Sequence, residues 1–303
     1  MLNLSRMCQN KNMTEYLTPN TVEEALHLLD ARRGQAMIIA GGTDVLPDIR
    51  KGKRAPGCLV DITRIPELTE IWVGGGYVTV GAAVTFAMLR EHPYLQQHVH
   101  ALVEAAASVG AAPIQSAATW GGNLVQAMPA ADGAISAIAL DAELRVLDRE
   151  GERWIPVLDT FASPGRSHID PTRQLITTIR FPIPVTPWGT AWRRAGRRPS
   201  LILPTLNCAL KLVLSKDGNC ITAAAIGLGP VAATPHRAAE AEAFLVGRAP
   251  DPVTFAEAAR LAEHGADPRS SIHRASREYR LAILPVLVEE ALAAAKERAL
   301  ITQ

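Results

Sequence analysis

The sequence predicts an α+β protein with two domains, and three observations support this. The chain has 303 residues, more than the roughly 100 to 200 that one hydrophobic core usually serves. Its first hundred residues alternate between helical and strand patterns, which favours a small α/β subdomain. After about residue 188, a run of strands precedes a mainly helical end, which predicts a C-terminal α+β domain.

The elements of the N-terminal part follow from local signals. Residues 1–12 are polar and are expected to form a disordered extension ahead of Met13. The segment "TPNTVEEALHLLDARRG" predicts a helix that is capped by Asn20 or Thr21 and ends at Gly34. "AMIIA" and "CLVDIT" predict buried strands, and "IWVGGGYVTVGAAVTF" predicts a β-hairpin.

The remaining elements divide into two domains. Residues 85–109 have a helical pattern that Pro93 interrupts. A small-residue helix and further strands follow, and "PIPVTPWG" is typical of a linker. We therefore expect a first domain at residues 13–187. The second domain, residues 188–303, would begin with strands that turn at "KDGN" and end in helices.

Composition excludes several classes of protein. Hydrophobic residues make up 48% of the chain and charged residues 20%, as in ordinary globular proteins. A formal net charge of +1 argues against a nucleic-acid binder that depends on neutralising phosphates. No apolar stretch approaches the about 20 residues of a transmembrane segment. The four cysteines lack metal-binding spacing, so we expect a cytoplasmic protein with reduced thiols and no metal site.

Two short loops with paired glycines are the main candidates for a binding site. The first glycine loop, residues 38–45, ends the "AMII" strand with "AGGTD", and the second, residues 119–123, reads "TWGGN". Glycine allows backbone amides to approach a ligand closely, and a nest of such amides favours anionic oxygen. Neither loop has the dinucleotide-binding or P-loop fingerprint. Each is either a tight turn or one side of a grip on the phosphates of a dinucleotide.

Asp132, in "MPAAD", has two interpretations from the residues alone. Its carboxylate would accept hydrogen bonds from a ribose hydroxyl, or it would cap the helix that begins with "GAISAIAL". No serine lies in a nucleophile elbow, and no cysteine–histidine pair is indicated. We therefore expect no catalytic side chain.

The motifs also carry a family resemblance. "AGGTDVLPDIRKG", "LVDITRIPEL" and "ATWGGNLVQAMPAAD" resemble the FAD-binding medium subunit of the molybdenum hydroxylases, the group of xanthine dehydrogenase and carbon monoxide dehydrogenase. "GLGPVAATPHRAAEAEAFLVG" and "RASREYRLAILPVLVEEAL" extend the resemblance over nearly the whole chain from Met13. The resemblance implies an FAD-binding PCMH-type domain of two α/β subdomains. A C-terminal α+β domain of the carbon monoxide dehydrogenase flavoprotein type would follow it.

The resemblance also implies which residues hold FAD. The first glycine loop would wrap the pyrophosphate, the second would hold its other side, Asp132 would bind the adenosine portion, and Ile176 and Arg193 would approach the flavin. The implied residues are Ile38, Ile39, Ala40, Gly41, Gly42, Thr43, Asp44, Val45, Thr119, Trp120, Gly121, Gly122, Asn123, Asp132, Ile176 and Arg193. Trp192 occupies a position where an aromatic side chain can meet the flavin ring.

The sequence departs from the family pattern at two positions. Gln115 stands where the family often has arginine, and Trp120 stands where a small aliphatic residue is usual. Loss of a cation beside a dianionic pyrophosphate predicts weaker binding, or binding that depends on the backbone amides. The arginines of "WRRAGRRP" are either a solvated or partner-facing charge run, or groups that stabilise reduced flavin.

The resemblance implies an electron-transfer function. Electrons would arrive from [2Fe–2S] clusters on a small partner subunit, pass through FAD and leave to a soluble external acceptor, while a large molybdopterin subunit hydroxylates the substrate. A flavin that relays electrons needs no catalytic side chain, because the cofactor carries the chemistry. The alternatives are a free-standing flavin-dependent oxidase or reductase with its own substrate pocket, and a flavin-free scaffold.

Overall fold

The structure is a computed structural model that describes residues 14–198, 202–271 and 274–301. The predicted disordered extension, residues 1–12, lies outside the described residues. The helices are α1 Val22–Ala31, α2 Val45–Arg50, α3 Phe86–Glu91, α4 Pro93–His98, α5 His100–Ser108, α6 Ala112–Gln115, α7 Trp120–Gln126, α8 Asp132–Ala139, α9 Ala239–Leu245, α10 Pro252–Leu261 and α11 Arg277–Ile301. The strands are β1 Glu15–Leu17, β2 Ala36–Ile39, β3 Cys58–Asp61, β4 Ile71–Gly74, β5 Tyr77–Gly81, β6 Glu143–Asp148, β7 Gly151–Pro156, β8 Phe161–Ser163, β9 Arg166–Ser167, β10 Leu175–Pro182, β11 Trp188–Ala195, β12 Leu206–Leu214, β13 Ile221–Gly229 and β14 His236–Arg237.

The first subdomain is a three-stranded parallel sheet with the order β1-β3-β2. Helix α1 packs against it, and the Thr21 hydroxyl caps this helix by accepting a hydrogen bond from the Glu24 amide at 3.1 Å. Because β2 and β3 are parallel, the chain cannot join them with a hairpin turn. It crosses over through residues 40–57, which contain α2. This is why the first glycine loop does not close a hairpin.

The second subdomain is a five-stranded antiparallel sheet with the order β4-β5-β10-β6-β7. Successive side chains of an antiparallel strand point to opposite faces, and one face of this sheet is apolar. Val78, Val80, Leu144 and Ile179 of that face are buried in one core with helix residues such as Phe86. Pro93 divides the predicted helical stretch, since α3 ends before it and α4 begins with it.

The C-terminal part is a four-stranded antiparallel sheet with the order β11-β12-β13-β14, packed against α11. All nine residues of β12 are buried, because α11 covers one side and α5 and α8 of the preceding part contact the other. Asp141 links the two parts: its carboxylate accepts hydrogen bonds at 2.5 Å from both Lys211 and Arg237.

The predicted α+β class is confirmed by this mixed architecture. The boundary between domains at residues 187 and 188 stays a prediction. Within the described residues, no helix is both long and apolar enough to cross a membrane.

Candidate functional site

A cavity of about 250 Å³ lies between the two glycine loops. The first loop supplies one wall, the second loop and α7 supply another, and the segment that enters β10 supplies a third. Most of the lining is apolar, with a few polar groups from the loops. The lining residues taken from the predicted site are Ile38, Ile39, Ala40, Gly41, Gly42, Thr43, Asp44, Val45, Thr119, Gly121, Gly122, Asn123 and Ile176.

The first glycine loop presents free backbone amides. Gly42 has a φ of +67°, a left-handed conformation that favours glycine. The chain then enters α2, with Asp44 as its N-cap residue. Among the described residues, the amides of Gly42, Thr43 and Asp44 donate no hydrogen bond. Adjacent free amides in the cavity lining are suited to an anionic oxygen.

The second glycine loop is the start of a helix. Gly121 and Gly122 lie in the first turn of α7, and the predicted small-residue helix that follows them is α8. The Thr119 hydroxyl caps this turn by accepting a hydrogen bond from the Gly122 amide at 3.1 Å. The side-chain oxygen of Asn123 is buried and has no hydrogen-bond partner among the described residues. A buried acceptor of this kind is suited to a ligand donor.

The glycines of the two loops are needed for different reasons. A Cβ atom on Gly41 would lie 1.8 Å from the Ala117 carbonyl oxygen, and one on Gly121 would lie 2.6 Å from that of Ala82. These two glycines allow protein backbones to pack against each other. A Cβ on Gly122 would have only the Thr119 hydroxyl nearby, at 3.0 Å. Gly122 is therefore the one of these three that faces open space in the cavity wall.

Two ionisable groups line the cavity in the described part of the chain, Asp44 and Arg54. Burial raises the pKa of Asp44, nearby Asp48 adds to the rise, and Arg54 opposes it. The Arg54 guanidinium lies 3.3 Å from the Asp48 carboxylate and donates a hydrogen bond of 3.3 Å to the side-chain carbonyl of Gln126. Arg54 was missed by sequence reasoning, since it lies on the crossover ten residues beyond Asp44.

Comparison with known proteins assigns the chain to a family. Residues 11–184 match the family described as the FAD binding domain in molybdopterin dehydrogenase. Residues 191–295 match the carbon monoxide dehydrogenase flavoprotein C-terminal domain. The chain belongs to the FAD-binding subunits of the molybdenum hydroxylases. The predicted family and its cofactor, FAD, are thereby confirmed.

Relatives match this family member over nearly their full length. A putative xanthine dehydrogenase FAD-binding subunit of Escherichia coli K12 is 30% identical over 94% of this chain and 98% of its own. The carbon monoxide dehydrogenase medium chain of Afipia carboxidovorans is 30% identical over 94% and 97%. The solved carbon monoxide dehydrogenase of Hydrogenophaga pseudoflava has a chain with a TM-score of 0.87 and 29% identity, covering 94% of this chain and 98% of its own. All three are parts of dehydrogenases, so this chain is an oxidoreductase subunit.

The described residues fit FAD. Free amides of the first loop and the free Gly121 amide at the start of α7 suit a pyrophosphate, and the apolar remainder of the lining suits aromatic rings. The orphaned oxygen of Asn123 adds an acceptor. Which atoms of FAD each residue contacts stays a prediction.

Trp120, one of the predicted FAD residues, does not line the cavity. It is fully buried, its indole N–H donates to the Gly133 carbonyl at 2.9 Å, and it packs edge-on against Phe181. The large side chain at this departure from the family pattern therefore fixes the start of α8 from within the core.

Asp132 also lies outside the cavity lining. Its carboxylate accepts a hydrogen bond of 2.7 Å from the Asn207 side chain. Burial raises the pKa of Asp132 to about 6, although the hydrogen bond from Asn207 and the charge of Arg194 each lower it. The alternative that Asp132 is an N-cap is wrong, because Ala131 holds that position and Asp132 is the first residue of α8.

Of the two predicted residues from the C-terminal domain, Trp192 contacts α5 of the preceding part, whereas Arg193 lies near Glu290 of α11. Arg193 donates a hydrogen bond of 2.8 Å to the Trp192 carbonyl, and its guanidinium is 3.9 Å from Glu290. The Trp192 indole N–H donates to the Ser108 hydroxyl at 3.1 Å. Neither Arg193 nor Trp192 lines the cavity, and Trp192 belongs to a small apolar cluster between α5, α8 and β12.

Gln115 has a structural role in place of the family's arginine. Its side-chain amide donates to the carbonyls of Ala107 and Val109 at 3.0 and 2.8 Å, and its oxygen accepts from Arg90 at 2.5 Å. These bonds satisfy the end of α5 and direct Gln115 away from the cavity lining. The Arg90 guanidinium lies directly beside Gln115, and Arg54 supplies the cation of the described cavity lining. The effect of Gln115 on FAD binding stays a prediction.

Proposed function

We propose that this chain is the electron-exit subunit of a molybdenum hydroxylase complex. A small partner subunit with [2Fe–2S] clusters would deliver electrons to it, and a large molybdopterin subunit would hydroxylate the substrate. When bound, FAD supplies the redox chemistry between the clusters and a soluble external acceptor. Names of the relatives support this, because they are subunits of dehydrogenases. The three described cysteines are free, in keeping with a cytoplasmic location.

One observation carries the cofactor part of the proposal. Free amides of the first glycine loop and the Gly121 amide at the start of α7 belong to residues that line one cavity, whose lining is otherwise mostly apolar. In this arrangement the amides of Gly42, Thr43 and Asp44 would hold the pyrophosphate without needing the arginine that Gln115 replaces. Asn123 would accept a hydrogen bond from the cofactor, and Ile176 would pack against it and exclude water.

The residues outside the lining have indirect roles in this proposal. Trp120 would position the amides of α7 by anchoring that helix to Gly133. Asp132 would reach the adenosine portion only through a rearrangement of its bond to Asn207. Arg193 would act on the flavin through its charge and not by contact.

A free-standing oxidase or reductase remains the second candidate, and Asp44 is the observation that favours it. It is the one carboxylate in the described cavity lining, and its raised pKa is a property of many general acids and bases. In the electron-exit proposal Asp44 transfers no proton, and its carboxylate only offsets part of the positive charge of Arg54 in the cavity lining. An oxidase would lose turnover when Asp44 becomes asparagine, whereas an electron-exit subunit would keep electron transfer.

Purification of the complex tests the proposal. Affinity-tagged chain is expected to bring down an iron–sulfur protein and a molybdopterin protein, with FAD bound. Reduced complex would then pass electrons to an external acceptor, and the Asp44→Asn complex would do so at a similar rate. A stable single chain that oxidises a substrate by itself, and stops doing so in Asp44→Asn, would instead show the oxidase.

A further inference from the structure

Arg280, in the first turn of α11, is a buried cation without a carboxylate partner. Its exposed fraction is 3%, yet its Nε atom has no hydrogen-bond partner among the described residues. One terminal nitrogen donates to the Pro230 carbonyl at 3.1 Å. A buried guanidinium normally pairs with an anion, because removing an unpaired charge from water is costly.

The missing anion is not a side chain of this protein. No described Asp or Glu forms an ion pair with Arg280, although its neighbour Arg277 pairs with Asp267 at 3.3 Å. The residues outside the described ranges contain no Asp or Glu at all. The chain therefore offers Arg280 no carboxylate side chain, and a bound anion would supply the compensating charge.

Further arginines surround this position. Arg269 and Arg274 lie close enough for their charges to lower the pKa of Arg280, after the larger effect of burial. Arg197, from the arginine run after β11, donates a weak hydrogen bond of 3.4 Å to the Arg274 carbonyl. We call Arg197, Arg269, Arg274 and Arg280 the arginine cluster. Within the described chain, none of these four side chains pairs with a carboxylate.

The helix N-terminus does not explain the cluster. The Arg277 and Tyr279 amides donate to the hydroxyls of Ser270 and Ser276, at 2.9 and 3.2 Å, and the Arg280 amide donates to the Ser276 carbonyl. With these amides already satisfied, an anion would be held by guanidinium groups. Planar guanidinium groups donate paired hydrogen bonds that match phosphate geometry.

We infer that the arginine cluster is a binding site for a phosphoryl group, separate from the FAD cavity. A phosphoryl group carries a charge of about −1.5 to −2 at neutral pH and three acceptor oxygens. It would compensate several of the cations at once, whereas one carboxylate compensates a single charge. Arg280 would bind it from within the protein and Arg274 from nearer the surface.

Titration of the FAD-saturated protein with sodium phosphate tests the inference, with sodium chloride at equal ionic strength as reference. FAD saturation prevents phosphate from acting through the cofactor cavity. We expect a saturable rise in Tm and a calorimetric binding signal with phosphate but not with chloride. AMP provides a second arm: binding of AMP would show that the site takes the phosphoryl group of a nucleotide, and binding of phosphate alone would show that it takes the free ion.

Variants make the test specific. Arg280→Met is expected to raise Tm in chloride, because it removes an uncompensated buried charge, and to abolish the phosphate-dependent shift. Arg274→Gln, at a less buried position, is expected to weaken phosphate binding about tenfold with little change of Tm in chloride. Arg277→Gln is the matched control on the same helical turn and should bind phosphate like the parent.

Two results would overturn the inference. One is the absence of any difference between phosphate and chloride in the parent protein. The other is phosphate binding at the parent affinity in both Arg280→Met and Arg274→Gln. If Arg280→Met does not fold, the comparison between Arg274→Gln and Arg277→Gln still decides the matter.

Discussion

Substitution of Gly41 and Gly122 by alanine separates the two purposes of the glycine loops. Both glycines line the cavity, and both belong to motifs that predict a phosphate grip. A Cβ at position 41 would lie 1.8 Å from the Ala117 carbonyl oxygen, while one at position 122 would meet only the Thr119 hydroxyl at 3.0 Å. The same change is therefore expected to damage the fold at one position and the binding site at the other.

The size of each effect follows from these contacts. In Gly41→Ala the backbones at Gly41 and Ala117 must separate by roughly 1 Å. Overpacking of this kind should cost about 3 kcal/mol of folding free energy, the upper end of the usual range, because the backbone carbonyl cannot rotate away as a side chain can. For a chain of this size that corresponds to a fall in Tm on the order of 6–10 °C. Gly122→Ala replaces a helical glycine and should leave Tm unchanged or raise it slightly. Its methyl group would enter the cavity and weaken FAD binding at least about tenfold.

Thermal unfolding of the flavin-free proteins and titration with FAD measure the two effects separately. Gly41→Ala should lose stability whether or not FAD is present. Gly122→Ala should keep the parent Tm without FAD and lose the Tm increase that FAD causes. The reasoning is refuted if Gly41→Ala unfolds at the parent Tm, or if Gly122→Ala binds FAD with the parent affinity.

Three further predictions concern charged residues. Asp132 has a pKa of about 6 in the fold against 3.8 for the free group, so its contribution to stability is complete below about pH 4 and lost as pH rises through 6. Between about pH 4 and pH 6, the free energy of unfolding of the flavin-free parent should fall by about 3 kcal/mol relative to that of Asp132→Asn. The same pH dependence of this free energy in both proteins, measured by urea denaturation, would contradict the prediction. Asp141→Asn leaves the buried Lys211 without its 2.5 Å partner and should cost about 2 kcal/mol by denaturant unfolding. Arg54→Gln should weaken FAD binding about tenfold at low salt, because the charges of Asp44 and Asp48 would no longer be compensated near the cofactor. The loss of affinity should be smaller at high salt, and the control Lys53→Gln should have little effect.

Much of the first domain could be predicted because its signals are local. The cap at Thr21, the break at Pro93 and the hairpin at β4 and β5 each depend on a few adjacent residues. The glycine loops were found in the same way, and thirteen of the sixteen predicted FAD residues line one cavity. The remaining three, Trp120, Asp132 and Arg193, lie outside the lining, and of these only Arg193 was predicted from the family resemblance alone.

What could not be predicted depends on contacts between distant segments. The reason for Gly41 lies in the backbone of Ala117, and the structural role of Gln115 depends on the end of α5. Arg54 reaches the cavity because the crossover between two parallel strands returns there. The isolation of Arg280 from carboxylates becomes visible only when α11 is packed against the segment at Pro230.

FAD binding by the purified chain is the most direct test of the central claim. The protein should carry or take up about one FAD per chain, and heat or acid should release this FAD intact. It should bind FMN far more weakly than FAD, because FMN lacks the pyrophosphate and adenosine that the glycine loops would hold. Gly122→Ala should bind FAD more weakly while remaining folded. A colourless protein that cannot be reconstituted, or one that binds FMN as tightly as FAD, would contradict the proposed grip of the two loops on the pyrophosphate.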